Sequence, residues 1–275
     1  MWLPDFSRAA LAALFITIMV VAVAPPVPAF GAVPDTAWSS RGLLICGQPN
    51  AQGPPALTAS GSGGFFLAWE DARANADTSD LYVQNILGDG TVAPGWPADG
   101  APASLAPASQ SAPQIVADGA GGVLVVWEDQ RGGVTPRLFA QHLSSAGLPV
   151  AGWATFGLPV CANGGPQRAA KIAADGAGGA LIVWEDYRAT QPRVYAQHLK
   201  ADGTFATGWA DSGRALAAAP GGQVAPAMAA DGAGGMYATW SDGRGGAATS
   251  VDVYAQRLRG DGTTAPGWPS SGLAV

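Results

Sequence analysis

The 275-residue chain has only 12% charged residues, and its 39 glycines and 22 prolines disfavour long helices. Ten tryptophans argue against disorder, because disordered chains lack the aromatic residues that build a core. The formal net charge of −6 leaves no basic surface for a phosphate backbone, so we expect no binding of nucleic acid.

Residues 1–31 have the features of an export signal. Arg8 precedes an apolar run over 9–24, a proline pair ends the run, and small residues suit cleavage after Ala29 or Gly31. The run is shorter than the roughly 20 apolar residues of a membrane-spanning helix. We therefore expect a cleaved signal peptide, with a retained anchor as the alternative. The protein should be secreted or periplasmic, with no membrane span after cleavage.

The remaining chain, 32–275, is dominated by an internal repeat of about 57 residues. One series of tryptophans at that interval comprises Trp69, Trp127, Trp184 and Trp240. A second series comprises Trp38, Trp96, Trp153, Trp209 and Trp268. The second series divides the chain into the units 38–95, 96–152, 153–208 and 209–267, and residues 268–275 begin a further unit. A tandem repeat of this length indicates a propeller or another repeat architecture.

Each unit is predicted to contain four short strands. In the second unit these are strand a over 114–118, b over 123–129, c over 137–143 and d over 157–161. Asp-Gly pairs mark the tight turns. A small-residue strand a followed by bulkier strands predicts an all-β fold, a β-propeller of four four-stranded antiparallel blades. The ring is either closed, with residues 42–46 completing the fourth blade, or a fragment of a larger propeller.

Three short motifs carry a resemblance to a known group of proteins. They are Trp184-Glu185-Asp186-Tyr187-Arg188, Tyr195-Ala196-Gln197 and Gly208-Trp209. With these motifs the chain resembles secreted bacterial β-propeller repeat proteins, and the resemblance extends from Trp38 to Val275. It implies the architecture, and it brings no catalytic residue that could be assigned to a position here.

A Trp-x-Asp-x-Arg motif recurs in all four units. Its members are Trp69, Asp71, Arg73, Trp127, Asp129, Arg131, Trp184, Asp186, Arg188, Trp240, Asp242 and Arg244. Alternate residues of a strand share one face, so each trio can join an indole, a carboxylate and a guanidinium. We favour a structural role, in which each trio fastens one blade to the next. Four equivalent ligand pockets are the alternative.

The three glutamates and the two histidines of the chain also follow the repeat. Glu70, Glu128 and Glu185 each follow a first-series tryptophan and should face away from it. For them we favour a structural role over a metal or acid–base role. His142 and His198 are equivalent positions, and no serine accompanies them in a triad. The sequence therefore predicts no catalytic residue, no metal site and no cofactor.

The two cysteines, Cys46 and Cys161, occupy equivalent positions two units apart. In a ring they would lie much farther apart than the Cα limit of about 7 Å for a disulfide. We therefore expect two buried free thiols, although an exported protein meets an oxidising environment.

The loops between strands b and c vary in length, and binding surfaces concentrate in such variable loops. The candidate binding residues there are Asn75, Asp77, Asp80, Thr135, Thr190, Gln191 and Thr249. We expect a non-catalytic binding or scaffold module whose partner is a glycan or a surface protein, and the sequence leaves a homo-oligomer open. The alternatives are a propeller enzyme (glycosidase, lyase or quinone-dependent dehydrogenase) and a purely structural module of a larger surface protein.

Overall fold

Four four-stranded antiparallel sheets follow one another along the chain in the computed structural model, which confirms the predicted all-β, propeller-type architecture. The structure describes residues 41–163, 165–245 and 251–275. The predicted signal peptide (1–31), Trp38 and Thr249 lie outside these ranges. Within them, no helix has the length and apolar character needed to cross a membrane.

In every sheet the strands pair in chain order, from an inner strand to an outer strand. The first sheet contains β1 (Ala56–Ala59), β2 (Phe65–Asp71), β3 (Asp80–Ile86) and β4 (Ala101–Ser104). The second contains β5 (Gln110–Ala117), β6 (Val123–Asp129), β7 (Arg137–Leu143) and β8 (Leu158–Pro159). The third contains β9 (Gln167–Ala174), β10 (Ala180–Asp186), β11 (Arg193–Leu199) and β12 (Arg214–Ala215). The fourth contains β13 (Gln223–Ala230), β14 (Met236–Asp242), β15 (Asp252–Leu258) and β16 (Leu273–Ala274).

The inner strands bring consecutive sheets together, because β1 contacts β5, β5 contacts β9 and β9 contacts β13. The apolar core fills the spaces between neighbouring sheets. Trp127 packs against the first sheet, Trp184 against the second and Trp240 against the third, and all three indoles are buried. Burial of a tryptophan removes about 150–250 Å² from water, so these indoles are major contributors to the stability of each junction.

The fourth sheet is completed by its own C-terminal strand. Leu273 and Ala274 of β16 pair with Ala255 and Tyr254 of β15. In the structure this pairing occupies the position that residues 42–46 would need in order to close a four-blade ring.

In each sheet the indole N–H of the Trp-x-Asp-x-Arg trio donates to the carboxylate and the arginine pairs with it, although the guanidinium of Arg73 donates to only one carboxylate oxygen. In the second sheet, the Trp127 indole N–H donates to Asp129 Oδ2 at 2.8 Å, and Arg131 binds both carboxylate oxygens at 2.7 and 2.8 Å. Arg131 also stacks on Phe139 of its own sheet, 3.8 Å from the ring centroid, and donates to Ser104 Oγ of the first sheet at 3.4 Å. Most of the trio's bonds therefore lie within one sheet, and the arginine provides the reach to the preceding one.

Cys46 and Cys161 are both free and occupy the position equivalent to Ser104. Cys161 is buried as predicted, but Cys46 is only half-buried. The guanidinium of Arg73 donates to Cys46 Sγ at 3.3 Å, and that of Arg188 donates to Cys161 Sγ at 3.3 Å. The two thiols thus take the place of a hydroxyl as acceptors for the arginine of the following sheet.

The second-series tryptophans link each sheet to the turn of the following sheet. Trp96 Nε1 donates to the carbonyl of Ser145 at 2.8 Å, and Trp153 Nε1 donates to that of Ala201 at 2.8 Å. Trp209 donates in the same way to Gly260 at 2.9 Å. Both tryptophan series therefore contribute directly to the junctions between sheets.

Candidate functional site

The three glutamates connect one sheet to the inner strand of the next. The backbone N–H of Ala112 donates to Glu70 Oε1 at 2.9 Å, that of Ala169 donates to Glu128 Oε1 at 3.0 Å, and that of Ala225 donates to Glu185 Oε1 at 2.7 Å. Each alanine has a positive φ, between 52° and 54°, at a β-bulge in the inner strand. The bulge turns the amide towards the carboxylate, so one oxygen of each glutamate is held in place.

The third sheet adds two cations beside its glutamate. Arg168 of β9 is directly opposite Glu185 of β10, and Lys171 is opposite Val183. Directly opposed residues of an antiparallel pair point to the same face, so Arg168, Lys171 and Glu185 share a face. Both cationic side chains are exposed, whereas Glu185 is half-buried.

Tyr187 completes this group, and its hydroxyl donates to Glu185 Oε2 at 2.6 Å. The hydrogen bond to Glu185 raises the pKa of Tyr187 to about 12, and burial and the negative charges of Glu185 and Glu128 act in the same direction. The positive charge of Arg168 opposes them. Tyr187 therefore lies in the electrostatic field of both glutamates and of the arginine. We call Arg168, Lys171, Glu185 and Tyr187, together with Glu128, the third-sheet cluster.

The third-sheet cluster breaks the repeat, because the other sheets carry different residues at its positions. The equivalents of Arg168 are Gly53, Ser111 and Val224, and those of Lys171 are Ala56, Gln114 and Ala227. The equivalents of Tyr187 are Ala72, Gln130 and Gly243, and Ser241 takes the place of the glutamate in the fourth sheet. A packing role common to all sheets explains the glutamates but does not explain these departures.

The third-sheet cluster was not predicted from the sequence, because the features that the units share dominate the repeat. The signal that indicates this cluster is a departure from the repeat. Two cations and a tyrosine stand at aligned positions where every other unit has a small, neutral or apolar residue. The bulge was also needed, because a regular strand would place Arg168 and Lys171, three positions apart, on opposite faces.

The predicted loop residues that the structure describes lie at the same end of their sheets as the third-sheet cluster, where the second strand of a sheet ends. Asn75 stabilises its own loop by accepting the backbone N–H of Asp77 at 3.0 Å. Asp80 begins β3, and burial raises the pKa of its carboxyl group. Thr135, Thr190 and Gln191 are exposed. The structure thus distributes these candidates over separate loops.

Among the described residues, no group of three His, Cys, Asp or Glu side chains lies close enough together to hold a metal ion. The two histidines serve the turns of their own sheets instead. His142 Nε2 lies 2.9 Å from Asp118 Oδ2, and His198 Nε2 lies 2.9 Å from Asp175 Oδ2.

Comparison with known proteins gives matches only at the level of structure. No family model and no curated protein matches the chain. An α-L-arabinanase from Penicillium chrysogenum, solved with arabinobiose, superimposes with a TM-score of 0.51 at 9% identity, over 85% of this chain and 70% of that one. An endo-arabinase from Bacteroides thetaiotaomicron gives 0.43 at 14% identity, over 80% of each chain. An α-L-arabinofuranosidase from Lactobacillus brevis gives 0.44 at 12% identity, over 82% and 72%.

These comparisons correct one expectation from the sequence. We expected a non-catalytic binding or scaffold module, and that interpretation is wrong: the comparison favours its alternative, a propeller enzyme, because the structure matched with a TM-score above 0.5 is that of an α-L-arabinanase. The similarity to the Penicillium chrysogenum enzyme itself establishes the fold that this chain shares with it.

Proposed function

We propose that this protein is a secreted or periplasmic propeller enzyme of the glycosidase class, which hydrolyses a glycosidic bond at the third-sheet cluster. The observation that carries the proposal is the departure from the repeat. In the third sheet Tyr187 donates to the carboxylate of Glu185, and Arg168 and Lys171 share the face of that carboxylate, whereas no other sheet has these three residues at the aligned positions. A neighbouring carboxylate, Glu128, lies within electrostatic range of Tyr187. Glycan cleavage by the Penicillium chrysogenum α-L-arabinanase, which has the same fold, supports the choice of reaction.

Glycoside hydrolysis commonly uses two carboxyl groups, one as general acid and one as base or nucleophile. Both oxygens of Glu185 accept hydrogen bonds, from the Tyr187 hydroxyl and the Ala225 amide. These two donors fix the carboxylate, which suits a base or nucleophile. Glu128 uses one oxygen to accept the Ala169 amide, and its second oxygen accepts no hydrogen bond from the described residues. That free oxygen suits the general acid, which must present a proton to the leaving group.

A matched control exists within the chain. Glu70 makes the same backbone hydrogen bond as the other two glutamates, to Ala112. Its inner-strand neighbours at the aligned positions are Gly53 and Ala56, so it lacks the cations and the tyrosine of the third-sheet cluster. Replacement of Glu70 therefore tests the shared structural role alone.

The decisive experiment measures reducing-end release from arabino-, xylo-, manno- and galacturono-oligosaccharides. Wild-type protein should cleave at least one of them. Loss of a general acid or base lowers turnover about 10²–10⁴-fold, so Glu185→Gln and Glu128→Gln should each fall in that range. Glu70→Gln should retain the wild-type rate. Thermal unfolding of every variant serves as the control for folding.

Two results would contradict the proposal. One is the absence of cleavage of every oligosaccharide by the folded wild-type protein. The other is equal loss of activity in all three glutamine variants, which would show that the glutamates act only through the junctions between sheets.

A further inference from the structure

Most of the positive charge in this chain is already committed to internal contacts. Arg73, Arg131, Arg188, Arg244 and Arg257 pair with aspartates, Arg137 and Arg193 donate to backbone carbonyls, and Lys200 lies near Asp202. Arg168 and Lys171 differ from these. Neither side chain forms an ion pair or donates a hydrogen bond to any of the described residues, and both are exposed.

The position of these two cations distinguishes them from ordinary solvent-exposed charges on the protein surface. They lie on β9, an inner strand that contacts the inner strands of both neighbouring sheets. The bulge at Ala169 keeps them on one face of the sheet, opposite Glu185 and Val183. The other three inner strands are uncharged at both aligned positions. In a chain of net charge −6, this is a local concentration of positive charge beside the proposed catalytic carboxylates.

The nearby carboxylates do not use these cations as partners. Glu185 directs its oxygens to the Ala225 amide and to the Tyr187 hydroxyl, and Glu128 directs one oxygen to the Ala169 amide. Although Arg168 is directly opposite Glu185 in the sheet, no ion pair forms between them. Both cations are therefore available to a ligand.

We propose that Arg168 and Lys171 form a subsite for the anionic group of an acidic sugar, a carboxylate or a sulfate, so that the substrate is an acidic glycan. This inference rests on the proposed function, because it names the substrate class for the same site. A guanidinium can bind a planar carboxylate through two parallel hydrogen bonds, and an ammonium adds a second point charge. An acidic residue of the glycan would thereby hold the adjoining glycosidic bond near Glu185 and Glu128.

The test is calorimetric binding of three probes to the catalytically impaired Glu185→Gln protein, which prevents turnover. The probes are tetragalacturonate, a sulfated heparin tetrasaccharide and neutral galactotetraose. The subsite variant is Arg168→Ser with Lys171→Gln, which gives the third sheet the residues that the second sheet has at Ser111 and Gln114. Arg259→Ser, which removes an exposed arginine on another loop, is the matched control.

An acidic probe should bind, with an affinity that decreases as ionic strength rises. The subsite variant should weaken that binding by at least tenfold, which corresponds to about 1.4 kcal/mol. The Arg259→Ser control should leave it unchanged. Binding of tetragalacturonate assigns the anion as a carboxylate, and binding of the sulfated probe alone assigns it as a sulfate.

The inference and the proposed function fail in different ways. If neither acidic probe binds, or if the subsite variant binds an acidic probe as tightly as its parent does, the inference is wrong even where wild-type protein cleaves a neutral glycan. If an acidic probe binds through Arg168 and Lys171 but wild-type protein cleaves neither that probe nor any other oligosaccharide, the subsite stands and the proposed function fails.

Discussion

Replacement of Gly157 by alanine tests how the first-series tryptophans are seated. Gly157 has a φ of +85°, and a Cβ there would lie 2.4 Å from Cη2 of Trp127 and 2.7 Å from the Ala140 carbonyl oxygen. The left-handed backbone costs an L-residue about 1–2 kcal/mol. Trp127 is fully buried, so the indole cannot move aside, and overpacking of this kind adds about 1–3 kcal/mol. We expect Gly157→Ala to lower the free energy of unfolding by about 2–5 kcal/mol.

Gly119→Ala is the matched control. Gly119 has a similar φ of +80°, but no atom lies within 4 Å of the position that a Cβ would take. It should show the backbone cost alone, about 1–2 kcal/mol. Urea denaturation followed by tryptophan fluorescence measures both variants. Equal destabilisation by Gly157→Ala and Gly119→Ala would refute the reasoning, because it would mean that the clash between the added Cβ and Trp127 costs no free energy.

Three further predictions concern charged and titratable groups. Asp129→Ala should lower the free energy of unfolding by about 3–5 kcal/mol, because it leaves Arg131 and the Trp127 N–H without their buried acceptor, whereas Lys200→Gln should have no measurable effect in the same assay. Burial alone would raise the pKa of Asp118, but hydrogen bonds from His142, Ala120 and Gly122 outweigh it and hold the pKa below its usual value. A group with a lowered folded-state pKa stabilises the protein above the unfolded pKa of about 3.9, so thermal stability should fall as pH drops below about 4, and less steeply in Asp118→Asn. Ultraviolet titration should show Tyr187 ionising near pH 12, and Glu185→Gln should bring that pKa back towards 10; ionisation near pH 10 in the wild type would contradict the Glu185 contact.

The spacing of the tryptophans was enough to predict the number and composition of the sheets. The predicted second and third strands of the second unit, 123–129 and 137–143, coincide with β6 and β7. β6 is a continuous apolar run, Val123 to Trp127, that follows two glycines and ends at Asp129, and a short run with such boundaries is typical of a buried strand. It pairs with β7 along its whole length.

The inner strand was predicted less well, and the reason is the bulge. The second unit's strand a was expected over 114–118, whereas β5 begins at Gln110. Pro113 interrupts the apparent strand, and Ala112 adopts a positive φ that propensity assigns to a turn. The sequence pattern therefore indicates that the strand begins after Pro113. In the structure the pairing continues on the N-terminal side of the bulge, where Gln110 pairs with Asp129 and Ser111 pairs with Glu128.

This bulge also determines where charged side chains can be brought together on the repeated sheets. At each of the three junctions it aims an amide at a glutamate of the preceding sheet, and it returns two residues three positions apart to the same face. The first property serves every junction and explains why the glutamates repeat. The second is structurally neutral in the second sheet, where Ser111 and Gln114 occupy these positions, and places Arg168 and Lys171 side by side in the third. The bulge therefore becomes a charged site when arginine and lysine occupy these two positions and Tyr187 is added. Because these three residues depart from the repeat, the residues that the units share do not indicate the site, whereas the departures do.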